Sequence, residues 1–172
     1  MNKDRTMRER GFTLIELLVV IAIIGILASI LTPALRSSID KAKQARVQTE
    51  LQSIKTAISA YMNDYSKLPV ANADQGKPDQ LYQDDESKGI IRVLTANETA
   101  NPMLNPRKIV YLEATASQTD GTFADVWGTQ YSIALDNNYD GKIDDITTVS
   151  VVMSAGPDRN FSTTNDNLQT IQ

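Results

Sequence analysis

The 172-residue chain contains no cysteine and no histidine. Without cysteine there is no disulfide framework, no thiolate nucleophile and no sulfur-ligated zinc. Without histidine, a Ser-His-Asp triad, a Cys-His dyad and a His-bound metal are excluded, so hydrolytic chemistry would fall to carboxylates, Lys or Tyr. No glycine-rich phosphate-binding loop is present. Strong basic clusters are also missing. The net charge is −4, and the first eleven residues hold Lys3, Arg5, Arg8 and Arg10 against Asp4 and Glu9, which leaves the remainder more acidic still. An acidic body of this kind argues against nucleic acid, whose affinity comes mostly from Lys and Arg at phosphates. These absences point away from an enzyme.

One long apolar run stands out against this background. From Phe12 to Leu31, Glu16 is the one charge in 20 residues. At about 1.5 Å per residue a helix of that length spans ~30 Å, the thickness of a bilayer core. The basic residues precede it, so the rest of the chain is expected to face away from the cytoplasm. An ordinary cleaved secretory signal has a shorter core and a small-x-small cleavage site, and Ala28-Ser29-Ile30 and Thr32-Pro33-Ala34 are poor candidates for one. Glu16 costs roughly 2–3 kcal/mol deep in a span, and the span holds no Lys, Arg or His to pair with it. Its partner is therefore expected from elsewhere: a proton, the interface, or a positive group on another chain. A cut between Gly11 and Phe12 would create such a group, the α-amine of Phe12.

The stretch "RGFTLIELLVVIAIIGILASILTPAL" resembles the class III signal of type IV pilins and type II secretion pseudopilins, with Gly before the cut, Phe first and Glu fifth. That resemblance implies cleavage between Gly11 and Phe12 by a prepilin peptidase with methylation of the new terminus, an assembly role for Glu16, and a kinked or melted stretch at Pro33. Proline's missing N–H weakens the helix there on chemical grounds too.

Beyond the span, Val47, Leu51, Ile54, Ile58, Tyr61 and Tyr65 recur at spacings of three and four, the signature of one helical face turned to a core. The two segments read as one helix of about 55 residues. It is expected to end at Leu68-Pro69. The predicted organisation is a leader over 1–11, a membrane-spanning and filament-core helix over 12–35, a continuing amphipathic helix over 36–66 and a head over 67–172. The fold class is α+β, a pilin-like long helix packed on a small antiparallel sheet.

Within the head, 70–85 reads as a polar loop and 87–97 as a short helix burying Ile90, Ile91, Val93 and Leu94. Strands are expected over 108–114, 130–135 and 146–153, with Asp140-Gly141 turning between the last two. Trp127 is assigned to the core.

Two acidic loops are candidate metal sites. Asp136, Asn138, Asp140, Gly141, Lys142 and Asp144 fit the first nine places of an EF-hand-type loop, but Thr147 stands where a bidentate Glu is expected, so a polar turn is the preferred reading there. The second loop is "SAGPDRNFSTTNDN", where the competing reading is a solvated tail. "DVWGTQY" and "SAGPD…ND" resemble the D-P-W-G-x-P-Y stretch and calcium loop of the major type II pseudopilin. On that resemblance Ca²⁺ is held by the Ala155 carbonyl, Asp158 and Asp166, with Asn165 as the alternative to Asp166. Val126 and Gln130 replace two of the family's prolines.

The resemblance implies a non-catalytic pseudopilus subunit anchored in the inner membrane with a periplasmic head. Its partners would be further copies in a helical filament, the prepilin peptidase, minor pseudopilins and an inner-membrane assembly platform. A type IV pilus pilin shares the first 35 residues, although many such pilins close a C-terminal loop with a disulfide. A membrane-anchored calcium- or carbohydrate-binding module is the remaining reading.

Overall fold

A computed structural model describes residues 12–99, 103–113, 121–163 and 166–170. Helix α1, Leu14–Tyr65, runs 52 residues without interruption through Pro33. The expected melted stretch at Pro33 is not seen: helical structure continues on both sides, with Thr32 Oγ1 donating to the Ala28 carbonyl at 2.7 Å and Ser29 Oγ to that of Ile26 at 2.7 Å. The helix divides between two compact units, 1–42 and 43–172. In the first unit every described residue is exposed. α1 is also long and apolar enough to cross a membrane, and none of its most apolar part is buried within the chain.

In the second unit, the predicted stripe is the core. Val47, Leu51, Ile54, Ile58 and Tyr61 are at most 2% exposed, joined by Ala57, while Tyr65 packs at its margin. Full burial of each such aliphatic side chain contributes about 1.5–3 kcal/mol. α1 stops earlier than Leu68-Pro69. Ser66 adopts φ 53° and donates its N–H to the Met62 carbonyl at 2.7 Å, so a left-handed residue ends the helix before proline can.

Four strands, β1 (Gln80–Tyr82), β2 (Ser132–Leu135), β3 (Ser150–Ser154) and β4 (Leu168–Gln169), form an antiparallel sheet in the order β1-β2-β3-β4. Between β1 and β2 lies helix α2, Asp84–Leu94, whose first-turn Asp84, Asp85 and Glu86 complement the helix dipole. It buries Ile90, Ile91, Val93 and Leu94 as expected, but begins three residues before Ser87. The α+β class, one long helix with a small antiparallel sheet, is thus observed.

Three local expectations are corrected. The stretch 70–85 is not all loop, because Gln80–Tyr82 add to the sheet edge opposite Leu135–Ile133. Lys108–Glu113 form no strand: the Tyr111 and Leu112 N–H groups both donate to the Leu94 carbonyl, and Asn105 grips the Ile109 backbone, so this segment seals the end of α2; Ala114 lies outside the described residues. The β2–β3 link is not a tight Asp140-Gly141 hairpin. The ladder ends at Leu135↔Ser150, and the reversal occurs further out, where Ile143 and Ile146 exchange backbone bonds of 2.9 and 3.0 Å around Asp144 and Asp145.

Candidate functional site

Three groups of polar side chains stand apart from the core. The first opens α1. Thr13 N–H and Thr13 Oγ1 each lie 2.8 Å from Glu16 Oε2, and the Glu16 N–H donates to Thr13 Oγ1 at 3.2 Å. This is a capping box, the reciprocal pairing that satisfies orphan donors at a helix start. It adds a neutral partner on the same helix, Thr13, to the proton, interface and neighbouring cation considered for Glu16. The T-x-x-E spacing was present in the sequence as Thr13 to Glu16. Phe12, 78% exposed, precedes it, and Gly11 lies outside the described residues.

The second group is the turn after β2. Asp136 is buried and accepts the Asp140 N–H at 3.1 Å and the Gly141 N–H at 2.8 Å. Asn138 Oδ1 accepts the same Asp140 N–H at 2.8 Å, and Asp140 Oδ1 accepts that of Lys142 at 2.9 Å. Asp79 joins them: ligand atoms of Asp79, Asp136 and Asp140 all lie within 4.8 Å of one another. Asp79 Oδ1 is buried and has no hydrogen-bond partner among the described residues. Burial, then the charges of Asp136 and Asp140, raise the Asp79 pKa against the pull of the Asn138 and Asn137 backbone N–H groups. No sequence signal near Asp79 marks it, because the Gln80↔Leu135 register is what lays it beside Asp136. Asp144 is exposed on the outer turn and is not part of this cluster.

The third group is the loop after β3. Ala155 is fully buried, Asp158 exposed and Asp166 half-buried; Asn165 lies outside the described residues. The loop brings the two acids together, with the Asp158 N–H donating to Asp166 Oδ2 at 3.3 Å. Asp158 Oδ1 accepts the Asn160 N–H at 2.9 Å, and its other oxygen accepts the Thr163 hydroxyl. Gly156, at φ 72°, is pressed so closely on the returning chain that an added Cβ would fall 2.3 Å from the Asp166 carbonyl oxygen. That close approach fixes the two ends of the loop side by side, and carboxylates and carbonyls are the donors a hard cation takes.

Asp125 holds this loop from below and was missed as a site residue, although the "DVWG" stretch that contains it was singled out. It is 6% exposed. Its Oδ1 accepts the Trp127 and Thr129 N–H groups at 3.0 and 2.9 Å, closing the Trp127-Gly128 turn, and its Oδ2 accepts the Ser154 hydroxyl at 2.5 Å. Trp127 itself is partly buried against the core.

Residues 6–32 match the family described as the prokaryotic N-terminal methylation motif. The chain is 30% identical over 155 residues to type II secretion system core protein G of Pectobacterium carotovorum subsp. carotovorum, covering 88% of this chain and 78% of that protein. It is 27% identical to the core protein G of Escherichia coli (strain K12), covering 94% of this chain and 90% of the relative. A type IV major alpha-pilin of Moraxella bovis is 35% identical over 122 residues, with 71% and 70% covered. No solved structure matches. With the capped apolar helix, the small antiparallel sheet and relatives aligned over most of its length, the chain belongs to the pilin-like family of the type II secretion system core protein G.

Proposed function

We propose that the chain is a structural subunit of a type II secretion pseudopilus, processed after Gly11 and assembled through α1 into a helical filament that supports protein export. The observation that carries this reading is the exposure of Phe12–Leu35. Large apolar side chains from Leu14, 84% exposed, to Leu35, 62% exposed, have no cover among the described residues. So much apolar surface is stable only in a bilayer or against other copies. Head-to-tail contacts that do not close generate an open helix, which is the geometry of a filament. In this reading the prepilin peptidase cuts the leader, an inner-membrane platform and minor pseudopilins guide assembly, and the head lies in the periplasm. The chain acts by packing rather than by catalysis.

The C-terminal loop is read as a calcium site. Ala155 would offer its carbonyl and Asp158 and Asp166 their carboxylates, with Asn165 as the alternative to Asp166. Bound Ca²⁺ would offset two like charges that the loop holds together. The contact of Asp158 with Asp166 and the close approach of Gly156 to the Asp166 backbone support this choice.

Complementation of a deletion strain tests the main reading. The intact chain should restore export and Glu16→Ala should not. Restoration of twitching or adhesion with no effect on export would instead favour a type IV pilin, the reading to which the 35% identical Moraxella relative lends weight. For the loop, melting of the full chain in detergent should rise with Ca²⁺ over chelator, because a ligand bound to the folded state alone adds stability. Asp158→Ala should remove that rise and Asp140→Ala should leave most of it; no rise in the intact chain would overturn the calcium assignment.

A further inference from the structure

We infer that Asp125 and Ser154 form a positioning relay that sets the Ala155–Gly156 peptide plane for cation binding by the C-terminal loop, an inference that rests on the calcium reading above. Ser154 is the last residue of β3 and fully buried. Its hydroxyl has one proton, and that proton is committed to Asp125 Oδ2 at 2.5 Å. The oxygen is therefore left to accept, and it accepts the Gly156 N–H at 3.1 Å. That N–H and the Ala155 carbonyl belong to one planar trans peptide, so fixing the first fixes the second, directed away from the Ser154 hydroxyl. The backbone then turns at Gly156 through φ 72° into contact with Asp166. One buried carboxylate thus reaches the candidate ligand carbonyl through a single hydroxyl.

The charge on Asp125 matters in this arrangement. A carboxylate can only accept, which forces the serine proton toward it and leaves the serine oxygen facing Gly156. An asparagine keeps an oxygen for Trp127 and Thr129 but can present an amide N–H₂ to Ser154, which no longer dictates where the hydroxyl proton goes. The Trp127-Gly128 turn should survive that change. Ser154→Ala removes the relay from the other end and leaves Asp125 with its two backbone donors.

The test is Ca²⁺ titration of the full chain in detergent, by calorimetry, together with melting in chelator and hydrogen exchange at the Gly156 amide. Asp125→Asn and Ser154→Ala are each expected to weaken Ca²⁺ binding about tenfold, the range typical of groups that orient metal ligands. The double variant should bind no worse than the weaker single, and exchange at Gly156 should quicken in Ser154→Ala. A lower melting temperature in chelator with Ca²⁺ affinity unchanged in both single variants would overturn the relay, as would losses that multiply in the double. If the intact chain binds Ca²⁺, Asp158→Ala abolishes binding and Asp125→Asn does not alter it, the relay alone falls. Absence of Ca²⁺ binding in the intact chain would remove the calcium reading and the relay together.

Discussion

The hydroxyl of Tyr131 donates to Glu50 Oε2 at 2.5 Å, a bond from a fully buried ring entering β2 to the outer part of α1. Glu50 also pairs with Arg46, whose side chain is 68% exposed. The two contacts of one carboxylate should therefore differ in weight. Tyr131→Phe is expected to cost about 1.5–3 kcal/mol, the range for a hydrogen bond to a charged group. Arg46→Ala should cost about 0.2–1 kcal/mol. Urea midpoints of the full chain check both, and equal losses would contradict the ranking.

Burial pushes the tyrosines up. Tyr61 rises to about 12, and Tyr131 is raised further by burial and then by its bond to Glu50. An unfolded tyrosine ionises near pH ~10, so the unfolded chain loses these protons first. Stability from these groups is complete below that pH and is lost as pH rises from there through the folded values. The melting temperature should fall steeply above pH ~10, together with a cooperative tyrosinate absorbance change. Gradual ionisation of all tyrosines with the fold intact would count against it.

Asp79 acts with the opposite consequence at neutral pH. Its carboxyl pKa is raised, so its charge destabilises the fold above the folded value, and the penalty is relieved as pH falls through that value toward the unfolded one. In chelator, Asp79→Asn should raise the melting temperature at pH 7, with the gain shrinking on acidification. A loss at pH 7 would mean that the backbone donors of Asn137 and Asn138 outweigh the neighbouring carboxylates.

Thr13→Val keeps the branched shape and removes the hydroxyl that accepts the Glu16 N–H and donates to its carboxylate. Loss of a cap of this kind costs about 0.5–2 kcal/mol locally. Amide exchange over the first turn of α1 should quicken while exchange over 47–61 stays as it was. Thr13→Ser should restore protection, and failure to do so would assign the effect to packing instead of the hydroxyl.

The parts of this fold that repeat were readable and the parts that depend on register were not. The apolar span and the stripe from Val47 to Tyr61 announce themselves by length and spacing, because a helix maps sequence directly onto one face. Helix α2 was legible for the same reason in its apolar residues, though not in its acidic first turn. β1 escaped notice since Gln80–Tyr82 is three residues long with a polar start, and its identity comes from Leu135 across the ladder. Lys108–Glu113 shows the reverse error, with strand-like side chains and no strand to pair with. Among the site residues, the Thr13–Glu16 box was visible at a spacing of three. Asp79 and the link from Asp125 to Ser154 required contacts across 57 and 29 positions, respectively, that no local pattern encodes.

The sheet's neighbours follow chain order from β1 to β4. Each strand after the first therefore pairs with the strand just before it in the chain, and no strand is inserted between two earlier ones. The last addition, Leu168–Gln169, is only two residues long. The Lys55 ammonium then fastens the Thr170 carbonyl beyond it at 3.2 Å, while the Thr170 hydroxyl accepts the Val152 N–H at 3.0 Å. These contacts thus latch β3 to α1 across more than a hundred positions, and a chain truncated before Leu168 should keep the first three strands while losing that fastening.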